Sequence, residues 1–425
     1  MDDPRLIRVL LSAYACEPGK GSEPGVGWNM ARELSSRVRL TVVTRPNNKP
    51  SIEASGAAWI TDVRWVYWDP PKWLTFWKKG GRGVQLFYIL WQAGICRPVR
   101  RLMERETFDV IHHLTFGKYW VPSSLALLGV PFVFGPVGGG EISPPGLGKG
   151  SGFCGDIAEL SKKCATAFVS WFPPTRLLLQ KAAWTFATTP QTEKALRAAG
   201  VTRLSVLPQS GISPADFPSL PIPDRSNAGS RSGPLQLITA SRLIHWKAID
   251  LAIEAVAVLP ADLDVRLCVL QEGPEMGRLR KLVDTLGISD RVEFKGKLPS
   301  LAEVHTMISQ ADALIHPALH EAFGQACIEA LALGTPVICL DWAGPGMIVD
   351  KSSGFAVPPG NRREIIQGIA GAIRSLHREK TEGETRRDAC VARALGSFQW
   401  NHIADQIEGL YQQLEPTRFT KSENT

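Results

Sequence analysis

The stretch that decides the fold is His320-Glu-Ala-Phe-Gly-Gln-Ala-Cys-Ile-Glu329, which continues as Ala-Leu-Ala-Leu-Gly-Thr-Pro-Val-Ile to residue 338. Its spacing of apolar residues favours a helix that begins near Gly324. We expect this helix to end at Gly334, because glycine accepts the left-handed backbone of a helix C-terminal cap. The apolar run Val337 to Leu340 then predicts a buried strand.

Two glutamates, Glu321 and Glu329, lie in this stretch. In one continuous helix they would be about 80° apart around the axis and about 12 Å apart along it. With Glu321 in the preceding loop, both instead flank a helix N-terminus, which favours a phosphate. Carboxylates beside a bound anion are favourable when they accept hydrogen bonds from hydroxyls, which a sugar nucleotide supplies. The alternative is two solvated helix glutamates.

Three further motifs accompany this stretch. They are Ala240-Ser-Arg-Leu-Ile-His-Trp-Lys-Ala-Ile-Asp250, Glu272-Gly273-Pro274-Glu275, and Asp290-Arg-Val-Glu-Phe-Lys-Gly296. Together they resemble the retaining family-4 glycosyltransferases of GT-B architecture, over most of residues 235 to 360. Ala240 and Ala248 stand where that family often has glycine. The resemblance implies an α/β fold of two Rossmann-like parallel-sheet domains that face an interdomain cleft.

The length and the pattern of elements agree with two domains. A chain of 425 residues exceeds one ordinary core, and strands alternate with helix-length segments. Strands are predicted at Ile7 to Tyr14, Arg39 to Thr44, Val110 to His113, Pro131 to Phe134, Ala183 to Thr188 and Leu235 to Thr239, with a helix from Val26 to Ser36. The predicted divisions are an N-terminal acceptor-binding domain at 1–216, a linker at 217–234, a C-terminal nucleotide-sugar-binding domain at 235–395, a helix at 396–414 that the family returns to the first domain, and a tail at 415–425.

Charge and cysteine content restrict the partners and the compartment. The 48 basic and 41 acidic residues give a net charge of +7, which suits an anionic substrate or a membrane surface, and no nucleic-acid-binding motif appears. The eight cysteines form no C-x-x-C pair, so reduced thiols and a cytoplasmic protein are expected. No signal peptide and no run of 18 apolar residues is evident.

The glycine-rich segment Gly19-Lys-Gly-Ser-Glu-Pro-Gly25-Val-Gly27-Trp28 follows the first predicted strand. Glycines permit close backbone approach to a ligand, so Gly25 and Gly27 are candidate donor-binding residues. A dinucleotide site is the competing interpretation, but the second strand ends at Thr44-Arg45 without the acidic residue that an NAD ribose needs. A purely structural turn is the third alternative.

Adjacent histidines, His112 and His113, end the strand that begins at Val110. Neighbouring side chains of a strand point to opposite faces, so one histidine is expected to enter the cleft. We favour His113 as a catalytic residue near the donor sugar, as the family resemblance implies, with His112 on the acceptor side. Histidines of the core are the alternative. The turn Gly135 to Glu141 adds Gly138, Gly139 and Glu141 as acceptor-side candidates, or it is only a flexible loop.

The resemblance also implies roles for the second-domain motifs. Arg242 and Lys247 would neutralise the phosphate that carries the leaving charge, although lone basic residues after a strand are usually surface groups. Glu321 would accept a hydrogen bond from a hydroxyl of the transferred sugar, and Glu329 would accept hydrogen bonds from the ribose hydroxyls. The remaining contacts with the donor would come from Phe323, Gly324, Gln325 and Gly273. Transfer would retain configuration, and neither a metal nor another cofactor is expected.

Residues 59 to 91 are rich in aromatic residues interleaved with lysines. Such a composition suits the headgroup region of an anionic membrane, so we predict peripheral contact with the cytoplasmic face and a lipid-linked saccharide acceptor. Packing in the core, or stacking on a soluble sugar, is the alternative. The members are Trp59, Trp65, Tyr67, Trp68, Trp73, Phe76, Trp77, Phe87, Tyr88 and Trp91, with Lys72, Lys78, Lys79 and Arg82.

The predicted function is therefore transfer of a hexose-type sugar from a nucleotide sugar to a saccharide, in cell-surface polysaccharide or glycolipid synthesis. A nucleotide-sugar epimerase or hydrolase of the same fold, and a catalytically silent carbohydrate-binding protein, are the alternatives. The donor base, donor sugar, acceptor, linkage and oligomeric state do not follow from the sequence.

Overall fold

The structure is a computed structural model that describes residues 6–78, 80, 83–144, 147, 167, 171–214 and 233–414. Contacts divide the chain into two compact units. Unit 1 takes in Met1–Gly140, Cys164–Ser210 and Trp400–Thr425, and unit 2 takes in Glu141–Lys163 and Gly211–Gln399. The linker predicted at 217–234, except its last two residues, and the tail predicted at 415–425 lie outside the described residues.

Unit 1 is built on a seven-stranded parallel sheet. Apolar side chains of the central strands are buried on both faces, as expected for a parallel sheet covered by helices. The order is β3-β2-β1-β4-β5-β6-β7. The strands are β1 (Arg8–Ser12), β2 (Arg39–Thr44), β3 (Arg64–Tyr67), β4 (Val110–His113), β5 (Phe132–Val137), β6 (Trp184–Ala187) and β7 (Leu204–Val206).

Eight helices of the described residues complete unit 1. The last of them comes from the end of the chain and packs beside the first, where Trp400 and Tyr411 join the core. The helices are α1 (Ser22–Ser35), α2 (Lys49–Ala54), α3 (Lys72–Thr75), α4 (Val84–Gly94), α5 (Cys96–Met103), α6 (Pro173–Gln180), α7 (Pro190–Ala198) and α15 (Trp400–Leu414).

Helix α1 begins at Ser22, four residues before the predicted start at Val26. Proline is tolerated in a first helical turn, so Pro24 does not delay the start. Gly25 consequently lies inside the helix rather than one residue before it, and Gly27 lies inside the helix as predicted. A β-carbon on Gly25 would lie 2.2 Å from the carbonyl oxygen of Lys20, and one on Gly27 would lie 2.1 Å from that of Ala15. These glycines let the helix pack against the preceding loop.

Unit 2 is built on a six-stranded parallel sheet with the order β10-β9-β8-β11-β12-β13. Strands β8 and β12 match the predicted runs at Leu235 and Val337. One core cluster contains Leu237 and Ile315, and a second contains Leu314 and Val337. The strands are β8 (Leu235–Thr239), β9 (Val265–Leu270), β10 (Val292–Gly296), β11 (Ala313–His316), β12 (Val337–Leu340) and β13 (Gly354–Val357).

The helix predicted from the deciding stretch is α11, which runs from Gln325 to Ala332 after Gly324. Gly334 has φ of 75°, so the left-handed C-terminal cap is confirmed. The helices of unit 2 are α8 (Ile249–Ala257), α9 (Met276–Leu286), α10 (Leu301–Gln310), α11 (Gln325–Ala332), α12 (Ala343–Ile348), α13 (Arg362–Glu382) and α14 (Arg387–Ser397).

Candidate functional site

The loops that follow β8 and β11 bring Lys247 and Glu321 together. The two strands are neighbours, so their carboxyl ends lie at the same edge of the sheet, where ligands bind in open α/β folds. The amide of Leu319 donates to the carbonyl oxygen of Trp246 at 2.8 Å and joins the loops. The Lys247 ammonium donates to Oε2 of Glu321, and the two side chains are 17% and 20% exposed.

Glu321 is held as an anion. Burial would raise the pKa of its carboxyl, but the contact with His316 and the charge of Lys247 outweigh burial and lower the pKa to about 2. His316 Nε2 lies 3.4 Å from the same Oε2. Burial and the charge of Lys247 lower the pKa of His316, so this imidazole is neutral. Glu321 is therefore suited to accept hydrogen bonds and unsuited to donate a proton.

The backbone conformation of Ala248 explains why the family often has glycine at this position. Ala248 follows the short 3-10 helix His245–Lys247 and has φ of 49°, in the left-handed region. That conformation is costly for residues with a β-carbon and free for glycine. The turn directs the chain from Lys247 into α8.

Glu329 lies in α11, with its carboxylate turned toward the start of the helix. Oε1 accepts a hydrogen bond from Nε2 of Gln325 at 3.1 Å. Oε2 lies 3.4 Å from Nε2 of His305, a buried residue of α10. The structure therefore places Glu321 before α11 and Glu329 within it, as predicted.

The turn Phe323 to Gln325 forms the N-terminus of α11. Gly324 has φ of 102°, and no side chain caps this end of the helix. The Phe323 ring is buried against Phe398, with ring centroids 6.2 Å apart. A β-carbon on Gly344 would lie 2.1 Å from the carbonyl oxygen of Phe323, so the turn is packed closely on α12. The Phe323 ring is therefore part of the core of unit 2.

Arg242 precedes Leu243 in the loop after β8, and Gly273, in the loop after β9, packs against Leu243. The Arg242 side chain is exposed and forms no ion pair within the described part of the chain. A β-carbon on Gly273 would lie 2.2 Å from the carbonyl oxygen of Leu243, and Leu243 donates its amide to Glu272 at 3.0 Å. Gly273 thus brings the loops after β8 and β9 together, whether or not it also contacts a ligand.

In unit 1, both histidines of β4 are fully buried. His112 donates from Nε2 to the carbonyl oxygen of Gly135 at 2.6 Å and accepts at Nδ1 from Tyr411 at 2.5 Å. His113 contacts Tyr88 and Gln92, at 3.0 and 2.6 Å from its Nε2. Burial lowers the pKa of His112 to about 4 and that of His113 to about 3.

The two imidazoles point to opposite faces of the sheet, as expected for strand neighbours. Neither imidazole is exposed, in contrast to the expectation that one enters a cleft, and both are packed in the core among hydrogen-bonding partners. The alternative of core histidines describes what the structure contains.

The glycine-rich turn after β5 is also packed against protein. Gly138 donates its amide to the carbonyl oxygen of Gly117 at 2.8 Å. A β-carbon on Gly139 would lie 2.3 Å from the ring of Trp120. Glu141, which is buried, belongs to unit 2, and its carbonyl oxygen accepts from Nδ1 of His320 at 2.9 Å.

The aromatic segment divides into a buried part and an exposed part. Trp59, Trp65, Trp68, Phe87, Tyr88 and Trp91 pack in or against the cores of unit 1. Trp73 and Phe76, by contrast, are 73% and 79% exposed. Leu74, Leu86 and Ile89 add exposed apolar surface, and Lys72 is exposed beside them. Lys79 and Arg82 lie outside the described residues.

The described residues contain no group of three or more histidine, cysteine, aspartate or glutamate side chains arranged to hold a metal ion. They also contain no helix whose length and apolarity would let it cross a membrane. Six cysteines of the described part are free thiols.

His316 and His305 were missed by the sequence argument. Each is a single histidine in an apolar strand or helix, a context typical of core residues. His316 precedes Glu321 by five residues and His305 precedes Glu329 by 24. Neither spacing belongs to a motif that predicts contact between the two side chains. Only the packing of the strand and helix places them beside the carboxylates.

The family described as glycosyl transferase 4-like domain matches residues 21–209, and the family described as glycosyl transferases group 1 matches residues 223–388. A GDP-mannose-dependent alpha-(1-6)-phosphatidylinositol dimannoside mannosyltransferase of Mycobacterium tuberculosis is 32% identical over 169 residues, which are 40% of this chain and 41% of that relative.

Solved structures resemble the whole chain. Sucrose-phosphate synthase from Thermosynechococcus elongatus has a TM-score of 0.63 at 19% identity, with 96% of this chain and 99% of that chain covered. Anabaena HepE in complex with UDP has a TM-score of 0.59 at 20% identity, with 96% and 100% covered. The expected GT-B fold is confirmed, and the chain belongs to the family-4 glycosyltransferases, with a 4-like domain in its first half and a group 1 domain in its second.

Proposed function

We propose that this protein is a retaining glycosyltransferase that moves a hexose-type sugar from a nucleotide sugar to a saccharide acceptor. The observation that carries the proposal is the contact of Lys247 with an ionised Glu321 at the carboxyl edge of the second sheet. A cation and a hydrogen-bond acceptor side by side match a sugar attached to a phosphate, because the sugar offers hydroxyls and the phosphate offers negative charge.

The phosphates would be bound by Lys247, by the exposed guanidinium of Arg242 and by backbone amides at the start of α11. As the bond from the anomeric carbon to the phosphate oxygen breaks, its electron pair leaves with the nucleoside diphosphate. Cations and amides already in position stabilise that charge without reorganising. In this proposal the residues supply the neutralisation for which other transferases use a divalent metal.

Glu329 would accept hydrogen bonds from the ribose hydroxyls, and Glu321 from a hydroxyl of the transferred sugar. An ionised carboxylate near the sugar also favours the positive charge that develops on the ring. The acceptor oxygen forms its new bond on the face that the phosphate leaves, and the departing phosphate takes the acceptor's proton. The anomeric configuration is thereby retained.

Two relatives support the donor class without deciding the base. The mycobacterial relative is named for GDP-mannose, and HepE was solved with UDP. The matched part is about two-fifths of the mycobacterial enzyme, so its acceptor is only a precedent. That precedent, a phosphatidylinositol dimannoside, supports a lipid-linked saccharide acceptor and a role in polysaccharide or glycolipid synthesis.

A lipid-linked acceptor motivates the second part of the proposal, peripheral contact with an anionic membrane at its cytoplasmic face. Helix α4 buries Phe87 and Trp91 yet exposes Leu86 and Ile89 on its other side, so it is apolar all round. A helix with this pattern needs cover on its outer face. The exposed rings of Trp73 and Phe76, with Lys72 beside them, suit the interface of a bilayer.

The catalytic proposal is tested with Glu321→Gln. We expect turnover to fall by roughly 100-fold, as when one oxyanion-stabilising group is lost elsewhere, while binding of the nucleoside diphosphate changes little. A thermal-shift screen of UDP, GDP, ADP and their sugars identifies the donor first. Glu53→Gln, at an exposed position of α2, serves as the control. Wild-type turnover in Glu321→Gln would refute the assigned role, and loss of activity in EDTA would refute metal independence.

The membrane proposal is tested by flotation with phosphatidylcholine vesicles, with and without phosphatidylglycerol. The wild type should float only with the anionic vesicles, and the double variant Trp73→Ala, Phe76→Ala should remain at the bottom. Leu127→Ala removes another exposed apolar side chain of unit 1, 52% exposed, and should float like the wild type. Failure of the wild type to float removes this part and leaves sugar transfer untouched.

A further inference from the structure

Each glutamate of the proposed donor site is backed by a buried histidine. His316 and His305 are 2% and 6% exposed, and the Nε2 of each lies 3.4 Å from Oε2 of its glutamate. We propose that these histidines are positioning residues, with His316 fixing the carboxylate of Glu321 toward the transferred sugar and His305 fixing that of Glu329 toward the ribose. This inference rests on the proposed function.

The location of His316 makes it a rigid support. It is the last residue of β11, a strand bonded to β8 on one side and β12 on the other. Its side chain is almost completely buried, so its ring has little room to move. Side chains held by regular elements place functional groups more precisely than those held by loops, and Glu321 itself lies in a loop.

The contacts of Glu321 leave one oxygen for a ligand. Lys247 and His316 both approach Oε2, and within the described residues no group is bonded to Oε1. With its proton on Nε2, the imidazole would donate to Oε2 and restrain rotation of the carboxylate about its last bond, so that Oε1 would keep one direction. The distance of 3.4 Å exceeds the usual limit of about 3.2 Å for such a hydrogen bond, and catalytic contacts of this kind tighten when substrate binds.

His305 has the corresponding relation to Glu329. Gln325 donates to Oε1 from the first turn of α11, and His305 approaches Oε2 from α10. The carboxylate is therefore held between two helices. Because Glu329 is assigned to the ribose and Glu321 to the reacting sugar, loss of the two histidines should have different kinetic effects.

The test compares an apolar replacement with one that keeps a donor. His316→Leu removes the N–H, whereas His316→Gln places an amide N–H near the position of Nε2. We expect His316→Leu to lower kcat by about tenfold or more with the KM for donor within about twofold, since small misplacements of catalytic groups are costly. His316→Gln should recover most of that loss. His305→Leu should instead raise the KM for donor several-fold and spare kcat.

If the histidines were only structural, their replacement by leucine would lower the melting temperature without separate effects on kcat and KM, and glutamine would not restore activity. Wild-type kcat in His316→Leu, or equal impairment of the leucine and glutamine variants, overturns the positioning role of His316. An unchanged KM for donor in His305→Leu overturns that of His305.

A crystal structure of His316→Leu tests the positioning role independently of the proposed activity. If the wild type transfers no sugar from any nucleotide, the proposed function fails, and the orientation of Glu321 is then judged from the crystal alone. We expect the carboxylate to turn away from its wild-type direction. A carboxylate in the wild-type position overturns the inference whatever the activity is.

Discussion

Replacing Glu321 by glutamine should destabilise unit 2 in a pH-dependent way. In the folded protein the pKa of this carboxyl is about 2, and in an unfolded chain a glutamate has a pKa of about 4.3. The difference corresponds to about 3 kcal/mol of stabilisation at neutral pH. Glutamine keeps the shape but removes the charge, and it leaves the ammonium of Lys247 without its partner.

The sign follows from the direction of the shift. Because the folded pKa is the lower one, the stabilisation is complete above the unfolded pKa and is lost as pH falls toward the folded pKa. About half of it should be gone near pH 3. The free energies of unfolding of wild type and variant should therefore differ by about 3 kcal/mol near pH 7 and converge on acidification.

Urea denaturation followed by circular dichroism, repeated from neutral pH to about pH 3, measures this difference. Unit 1 is unaltered by the substitution and acts as an internal reference for its own transition. Glu53→Gln, in an exposed ion pair with Lys49, should shift neither transition appreciably. A difference below about 1 kcal/mol at neutral pH, or one that does not change with pH, would refute the inferred electrostatics of the pair.

Two backbone predictions concern glycine positions. Ala248→Gly should raise the free energy of unfolding by roughly 0.5 to 1 kcal/mol. The substitution removes the strain of an alanine at φ of 49°, and the greater conformational entropy of glycine in the unfolded chain offsets part of this stabilisation. An unchanged or lower urea midpoint would contradict this. Gly27→Ala should cost about 1 to 3 kcal/mol or more, since its β-carbon would lie 2.1 Å from the carbonyl oxygen of Ala15. Gly21→Ala, which meets nothing within 4 Å, should be neutral, and equal thermal shifts of the two variants would rule out the steric argument.

The elements of the second half could be predicted because local signals there agree. The run Val337 to Leu340 is apolar throughout, as a strand covered on both faces must be, and Gly334 marks the helix end by its backbone requirement alone. The positions of Glu321 and Glu329 followed from where the helix starts. Each of these properties depends on residues close in sequence.

The histidines of β4 could not be placed by such local signals. One group that hydrogen-bonds His112 belongs to Tyr411, 299 residues further along the chain, and the partners of His113 come from β1 and α4. A strand end rich in polar residues is typical both of a ligand site and of a polar network in a core. The choice between them depends on distant packing partners that no local pattern contains.

The exposure of the aromatic residues between 59 and 91 could not be predicted from local sequence either. Composition suggested one role for all of these rings, whereas packing divides them: Trp91 is fully buried and Trp73 is 73% exposed. Both are tryptophans of helices, Trp73 in α3 and Trp91 in α4. Only the face of each helix that meets the sheet decides which ring is left for another partner.

The helix α15 has a consequence for how the protein is made. Tyr411 completes the hydrogen bonding of His112, and Trp400 fills part of the first core, so unit 1 depends on residues that leave the ribosome after all of unit 2. Unit 2 is continuous over Gly211–Gln399 and can close its sheet first. We therefore expect the core of unit 1 to be completed only after α15 has been synthesised. This order is the reverse of the usual one, in which the N-terminal domain folds first.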